Sequence, residues 1–209
     1  ACSSVFSQNF LAIWNAIWVL PVHLYALLVP LALIPVINKN RSLLEEHIFN
    51  VELLFLAIGI LIIGSLFEII QNHIDHWYVT AETASGNGFS TIDGLFTFSI
   101  LIGQALILLS LVGQNSWVKI ITIFFIIATP ILYIKRQYVF LPTSIIGTIN
   151  TVIAYIIFGN WVIFMQLVMV AFTVFFFEQL LKTNNQFYHG LTTFCASSGI
   201  WFLVIAINK

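Results

Sequence analysis

The sequence predicts an all-α membrane protein, a bundle of about seven transmembrane helices, and three observations predict it. First, 60% of the 209 residues are hydrophobic and only 7% are charged, too few charges to cover a water-soluble surface of that size. Second, mean hydropathy is +1.04 and 20 residues are Phe, so a bilayer is the solvent that suits the chain. Third, apolar runs recur along the sequence with short polar connections between them. At roughly 20 apolar residues and a short connection per span, there is room for about seven spans and no soluble domain.

The first span is expected over residues 10–37, interrupted by Pro21, Pro30 and Pro35. A membrane helix tolerates such residues when neighbours satisfy the freed carbonyls. Residues 38–50 hold Lys39, Arg41, Glu45, Glu46 and His47 and read as a loop or a short surface helix. The second span covers 51–74, with Glu52 wet at its start and Glu68 in its last third, where an unpaired carboxylate is expensive. A connection without Lys or Arg follows, carrying the turn signal Gly86-Asn87-Gly88. It leads past Asp93 to the third span, 95–112. The fourth, 118–134, contains Pro130. The fifth, 138–158, carries Pro142 near its start and Gly147, Thr148 and Asn150, small or polar residues suited to close helix contact. Gly159-Asn160 makes a tight turn into the sixth span, 161–181, and a polar linker introduces the seventh, 187–207. Trp77, Tyr78, Trp117, Tyr138, Trp161 and Tyr188 fall at span ends, as an interfacial aromatic belt requires.

A net charge of −1 with no basic tract excludes a nucleic-acid partner. Membrane lipid and, for a chain without an extramembrane domain, other membrane subunits are the partners this composition admits. Cys2 and Cys195 have no metal-type spacing, and residues 1–4 read as a tail with no positive region before the first apolar run. If the Lys39/Arg41 loop is cytoplasmic, alternation puts Lys119 and Lys209 on the same side and Lys135, Arg136 and Lys182 opposite. The expected orientation is therefore N-terminus outside, C-terminus cytoplasmic.

The acid and imidazole chemistry is concentrated between Ser65 and Asp93. Glu68, Asn72, Asp75 and His76 are spaced i, i+4, i+7 and i+8 and share one helical face, with Ser65 one turn earlier and His73 about a quarter-turn aside. With seven spans, the ends of spans two and six and the starts of three and seven lie at one membrane face. Glu68, His73, Asp75, His76, Glu82, Asp93, Glu178 and His189 collect there, most of the eight carboxylates and five histidines in the chain. A metal-dependent enzyme needs two or three His or carboxylate ligands, an open position and an unligated group to handle protons. His73, His76, His189 and Glu178 are the candidate ligands for a divalent metal such as zinc; Ser65, Glu68 and Asp75 are the candidate catalytic groups. The competing reading is a polar vestibule in which Glu68, Asn72 and His76 pair with one another. His23 is expected to hydrogen-bond a neighbouring helix, the alternative being a ligand or proton-relay role.

Gly64-Ser65 on the second span, Asp93 near the third and His189 opening the seventh resemble the seven-helix membrane hydrolases of the alkaline-ceramidase and progestin-receptor type. That resemblance implies a zinc ion, hydrolysis of a lipid amide or ester, and a substrate reached from the bilayer. In this chain Glu68 follows Gly64-Ser65 where the family has a His, and Thr193 stands where the second His of the family's His-x-x-x-His would fall. The rival classes are a proton- or ion-coupled transporter or channel, lined by Gln104, Asn150, Gln166, Thr173 and Ser197-Ser198, and a structural subunit of a larger membrane complex. For each of those polar residues, hydrogen bonding between helices is the simpler account. A retinal protein is excluded, because the final span holds no Lys for a Schiff base.

Overall fold

Three prolines do not interrupt the first helix: in the computed structural model, α1 runs continuously over Cys2–Lys39 through Pro21, Pro30 and Pro35. The structure describes residues 2–74, 91–135, 140–183 and 185–207. Among these every element is helical. After α1 come α2 (Arg41–His47), α3 (Val51–Ile69) with a π turn (Ile70–Ile74), α4 (Thr91–Val112) and α5 (Ser116–Lys135). Then follow α6 (Leu141–Phe158), a 3-10 turn (Trp161–Phe164), α7 (Met165–Thr183) and α8 (Gln186–Ile207). Six of these helical stretches are long and apolar enough to cross a membrane: Val19–Lys39, Val51–His73, Thr91–Val112, Ser116–Lys135, Leu141–Phe158 and Trp161–Thr183. The chain is thus an all-α, multi-pass membrane protein. Helix α8 is also 22 residues long; six crossings are shown among the described residues, and the expected seventh is not shown.

The charged segment after α1 is a short surface helix. Arg41 donates to Glu45 at 2.7 Å and pairs with Glu52, so hydrogen bonds to these two carboxylates, Glu45 first, raise the guanidinium's already high pKa. Exposed pairs of this kind contribute little to stability. Leu44 of α2 is fully buried and anchors it. Asn50 then caps α3, its side-chain oxygen accepting from the Leu53 amide at 3.0 Å.

Helices α3 and α4 are tied at their near ends by backbone bonds from the amides of Phe49 and Asn50 to the carbonyls of Leu111 and Ser110. They pack on each other through glycines: a β-carbon on Gly103 would sit 2.6 Å from Leu61 Cδ2, and one on Gly64 would sit 3.1 Å from the side chains of Ser99 and Ile100. Lipid is as apolar as Leu, so close van der Waals packing rather than water exclusion holds such helices together. A core formed by Leu33, Ile37, Leu54, Ile58, Leu111 and Phe158 fills the end of the bundle where α1 finishes and α3 begins. The buried titratable groups His23, Glu68, Asp93 and His189 lie toward the other end. Ile120, Ile123, Phe124, Ile127, Ile131 and Ile134 leave α5 with an exposed apolar face, which suits hydrocarbon.

Helix α6 ends as the Gly159-Asn160 signal requires. Gly159 takes φ 65° and its amide bonds the Tyr155 carbonyl at 2.8 Å. Nothing crowds a β-carbon there, so only the left-handed backbone penalises a side chain. Gly159→Val is expected to cost about 1–2 kcal/mol in denaturant unfolding, and an unchanged midpoint would refute this account of the turn.

Candidate metal centre

Depth along the helices brings three distant residues level. At 1.5 Å per residue, His23 lies about 24 Å before the end of α1 and Glu68 about 26 Å beyond the start of α3. His189 lies about 27 Å before the end of α8. Helices α1 and α8 run antiparallel to α3 and pack against each other, so all three side chains arrive at the same end of the bundle. They are 0%, 8% and 6% exposed, and one donor atom from each lies within 4.8 Å of the others. His23 Nε2 is 3.5 Å and His189 Nε2 is 3.7 Å from Glu68 Oε1.

Hydrogen bonds around this group fix its geometry. The Thr193 hydroxyl, one turn after His189, donates to Glu68 Oε1 at 2.9 Å. Gln186 Oε1 accepts from His189 Nδ1 at 3.1 Å, which leaves His189 Nε2 turned to the carboxylate. On the other side His23 Nδ1 and His73 Nε2 are hydrogen-bonded at 2.8 Å, while His23 Nε2 is buried with no hydrogen-bond partner among the described residues. A proton shared between a charged imidazole and a carboxylate brings N and O to about 2.7–2.9 Å. Two ligands of a tetrahedral zinc, each about 2.0–2.1 Å from the ion, lie about 3.3–3.4 Å apart. The observed spacings fall near the second case. Two imidazole nitrogens and one carboxylate oxygen suit zinc or another divalent transition ion, and three protein ligands leave a coordination position open.

The other expected site residues fall as follows. Ser65 is buried, and its hydroxyl faces the Leu61 and Ala26 carbonyls at 3.1 and 3.3 Å, so it braces α3 against α1. Glu178 is well exposed on α7 and lies 3.5 Å from the Lys182 ammonium one turn on; it is not brought to the group. His73 touches the group through His23. Asp93 lies in the first turn of α4, buried, and accepts from the Tyr133 hydroxyl of α5 at 2.9 Å. Asp75, His76 and Glu82 lie outside the described residues. The Asn72 amide donates to the Glu68 backbone carbonyl at 2.8 Å, while the Glu68 carboxylate faces His23, His189 and Thr193.

The mid-span polar residues largely bond to other helices or to their own. Asn150 of α6 donates to the backbone and side-chain oxygens of Gln104 on α4 at 2.9 and 3.0 Å. Tyr25 of α1 and Ser198 of α8 are hydrogen-bonded at 3.0 Å, and Thr173 bonds back to the Met169 carbonyl. Gln104, Asn150 and Gln166 border a small cavity of about 20 Å³, room for about one water.

His23 is the member that sequence reasoning undervalued. Its hydrogen bond to a neighbouring helix was expected and is there, but its second nitrogen faces Glu68. Starting the first span at residue 10 puts His23 mid-membrane, whereas counting back along α1 from Lys39 puts it about 24 Å from that end, level with Glu68. Matching depths from the opposite end of each helix is the signal that finds it. No family model matches the sequence, and no curated protein or solved structure matches it either.

Proposed function

We propose that the protein crosses the membrane seven times, with α8 as the seventh span, and binds a divalent transition ion, zinc by preference, between His23 Nε2, His189 Nε2 and a Glu68 oxygen. We further propose that this site hydrolyses an ester or amide of a lipid-like, membrane-borne substrate. The observation that carries the reading is the convergence of two imidazole nitrogens on one carboxylate oxygen at 3.5 and 3.7 Å inside an apolar bundle. Such a group is costly in hydrocarbon unless its charge is paired, and a cation held between the three would pair it.

An ion with an open position supplies Lewis acidity toward a carbonyl and acidifies water. Hydrolysis then adds the elements of water across the acyl bond: hydroxide goes to the acyl carbon and a proton to the leaving oxygen or nitrogen. The chain's own contribution is a site whose ligands are held by Thr193, Gln186 and His73, at a membrane face that a bilayer lipid can approach. The same chemistry is what a relation to the ceramidase and progestin-receptor hydrolases would imply, here with a different ligand set. In this proposal His23 takes the third ligand position, while Thr193 serves as a hydrogen-bond donor. The orientation with N-terminus outside belongs to the same proposal and places the site on the outer side.

Metal analysis of protein purified in mild detergent tests it. The wild type is expected to carry about one zinc per chain, and His23→Ala and His189→Ala to carry almost none with unchanged helix content. Zinc-dependent release of fatty acid from ester or amide lipids in mixed micelles is the expected activity. Wild-type protein that stays metal-free after incubation with zinc refutes the reading.

A further inference from the structure

We infer that His73 is a positioning residue for the proposed metal site, holding His23 in the one tautomer that can ligate; this rests on the metal reading above. On a regular α-helix His73 lies five residues and about 140° from Glu68, on a different face. The chain does not continue as a regular helix. Ile70–Ile74 form a π turn, in which residues five apart come into register, and such turns recur at functional sites. His73 thereby meets His23, fifty residues earlier in sequence, with Nε2 at 2.8 Å from Nδ1 and the rings edge to face at 5.0 Å.

The shared proton of that pair has two places to sit. An ion on His23 Nε2 requires it on His23 Nδ1, and His73 Nε2 is then the acceptor. His189 has the matching arrangement, since its Nδ1 donates to Gln186 Oε1, an atom that can only accept. Each imidazole turned to Glu68 therefore has an acceptor behind it, from a different element in each case. Partners of this kind fix ring orientation and raise ligand basicity. His73 Nε2 is spent on that bond, so that nitrogen stands behind the ligand set, one imidazole removed from the ion.

The test compares full-length wild type, His73→Leu and His73→Gln, the last placing an amide oxygen near the position of Nε2. Zinc affinity is measured by chelator competition, and cobalt substitution gives a visible spectrum of the ligand field. His73→Leu is expected to keep one zinc at saturation but bind roughly 10–100-fold more weakly, with a shifted cobalt spectrum. His73→Gln is expected to recover most of the affinity and the wild-type spectrum, which a loss of packing alone would not produce. If His73→Leu folds and binds with wild-type affinity and spectrum, or if it loses the zinc even at saturation, the positioning role is overturned while the metal site stands. Failure of the wild type to bind zinc or cobalt overturns the metal reading, and this inference with it.

Discussion

With Glu68 replaced by Gln, the protein is expected to bind zinc a hundredfold or more weakly, since loss of an outer partner alone costs roughly 10–100-fold. The substitution keeps volume and leaves an oxygen to accept from Thr193, so the bundle loses a negative charge and a ligand but little shape. The carboxylate oxygen is the common neighbour of both imidazoles, at 3.5 and 3.7 Å, and an amide oxygen neither neutralises a divalent ion nor binds it comparably. Thermal unfolding in detergent gives a second readout. Zinc at 100 times its dissociation constant stabilises the wild type by about 2.7 kcal/mol through mass action, and the variant at the same concentration gains almost nothing. Equal zinc content in the two proteins would remove Glu68 as a ligand.

The second large effect is expected at a glycine far from that site. Gly103→Val should destabilise the bundle by about 1–3 kcal/mol, because a β-carbon there would fall 2.6 Å from Leu61 Cδ2 and 2.7 Å from Leu61 Cγ. Leu61 is 3% exposed and enclosed by core neighbours, so it has little freedom to swing away. The helices must part instead, along the most extensive helix–helix packing among the described residues. Leu61→Ala alone should also destabilise, by about 2–5 kcal/mol, through the cavity it leaves. Combined, the two changes compensate in volume, and the double variant should lose less than the sum of the singles by at least about 0.5 kcal/mol. Strict additivity would mean that the two residues do not meet as described.

Much of this architecture is legible in the sequence, for physical reasons. A bilayer forces long apolar runs, so the helix over 118–134 is found at Ser116–Lys135 and the one over 187–207 at Gln186–Ile207. Gly159-Asn160 announces its turn because few other residues accept that backbone. The site is legible in part. Glu68 and His189 stand out as ionisable groups in apolar surroundings, and their common membrane face follows from the order of crossings. Two things are hidden. Glu178 looks equivalent to Glu68 by position near a helix end, but the face a side chain presents depends on how α7 packs, and this one points outward to Lys182. His73 is misplaced by any argument from a period of 3.6, because the π turn changes the register within five residues. A local departure of that kind leaves no mark in hydropathy.

The polar group also bears on how the molecule is made. Its hydrogen bond from Thr193 to Glu68 joins residues 125 positions apart, and His23 comes from α1. No fragment lacking α8 contains all three side chains, so the group can form only once α8 has joined α1 and α3. Once formed, it clasps α1 and α3 to a helix far later in the sequence.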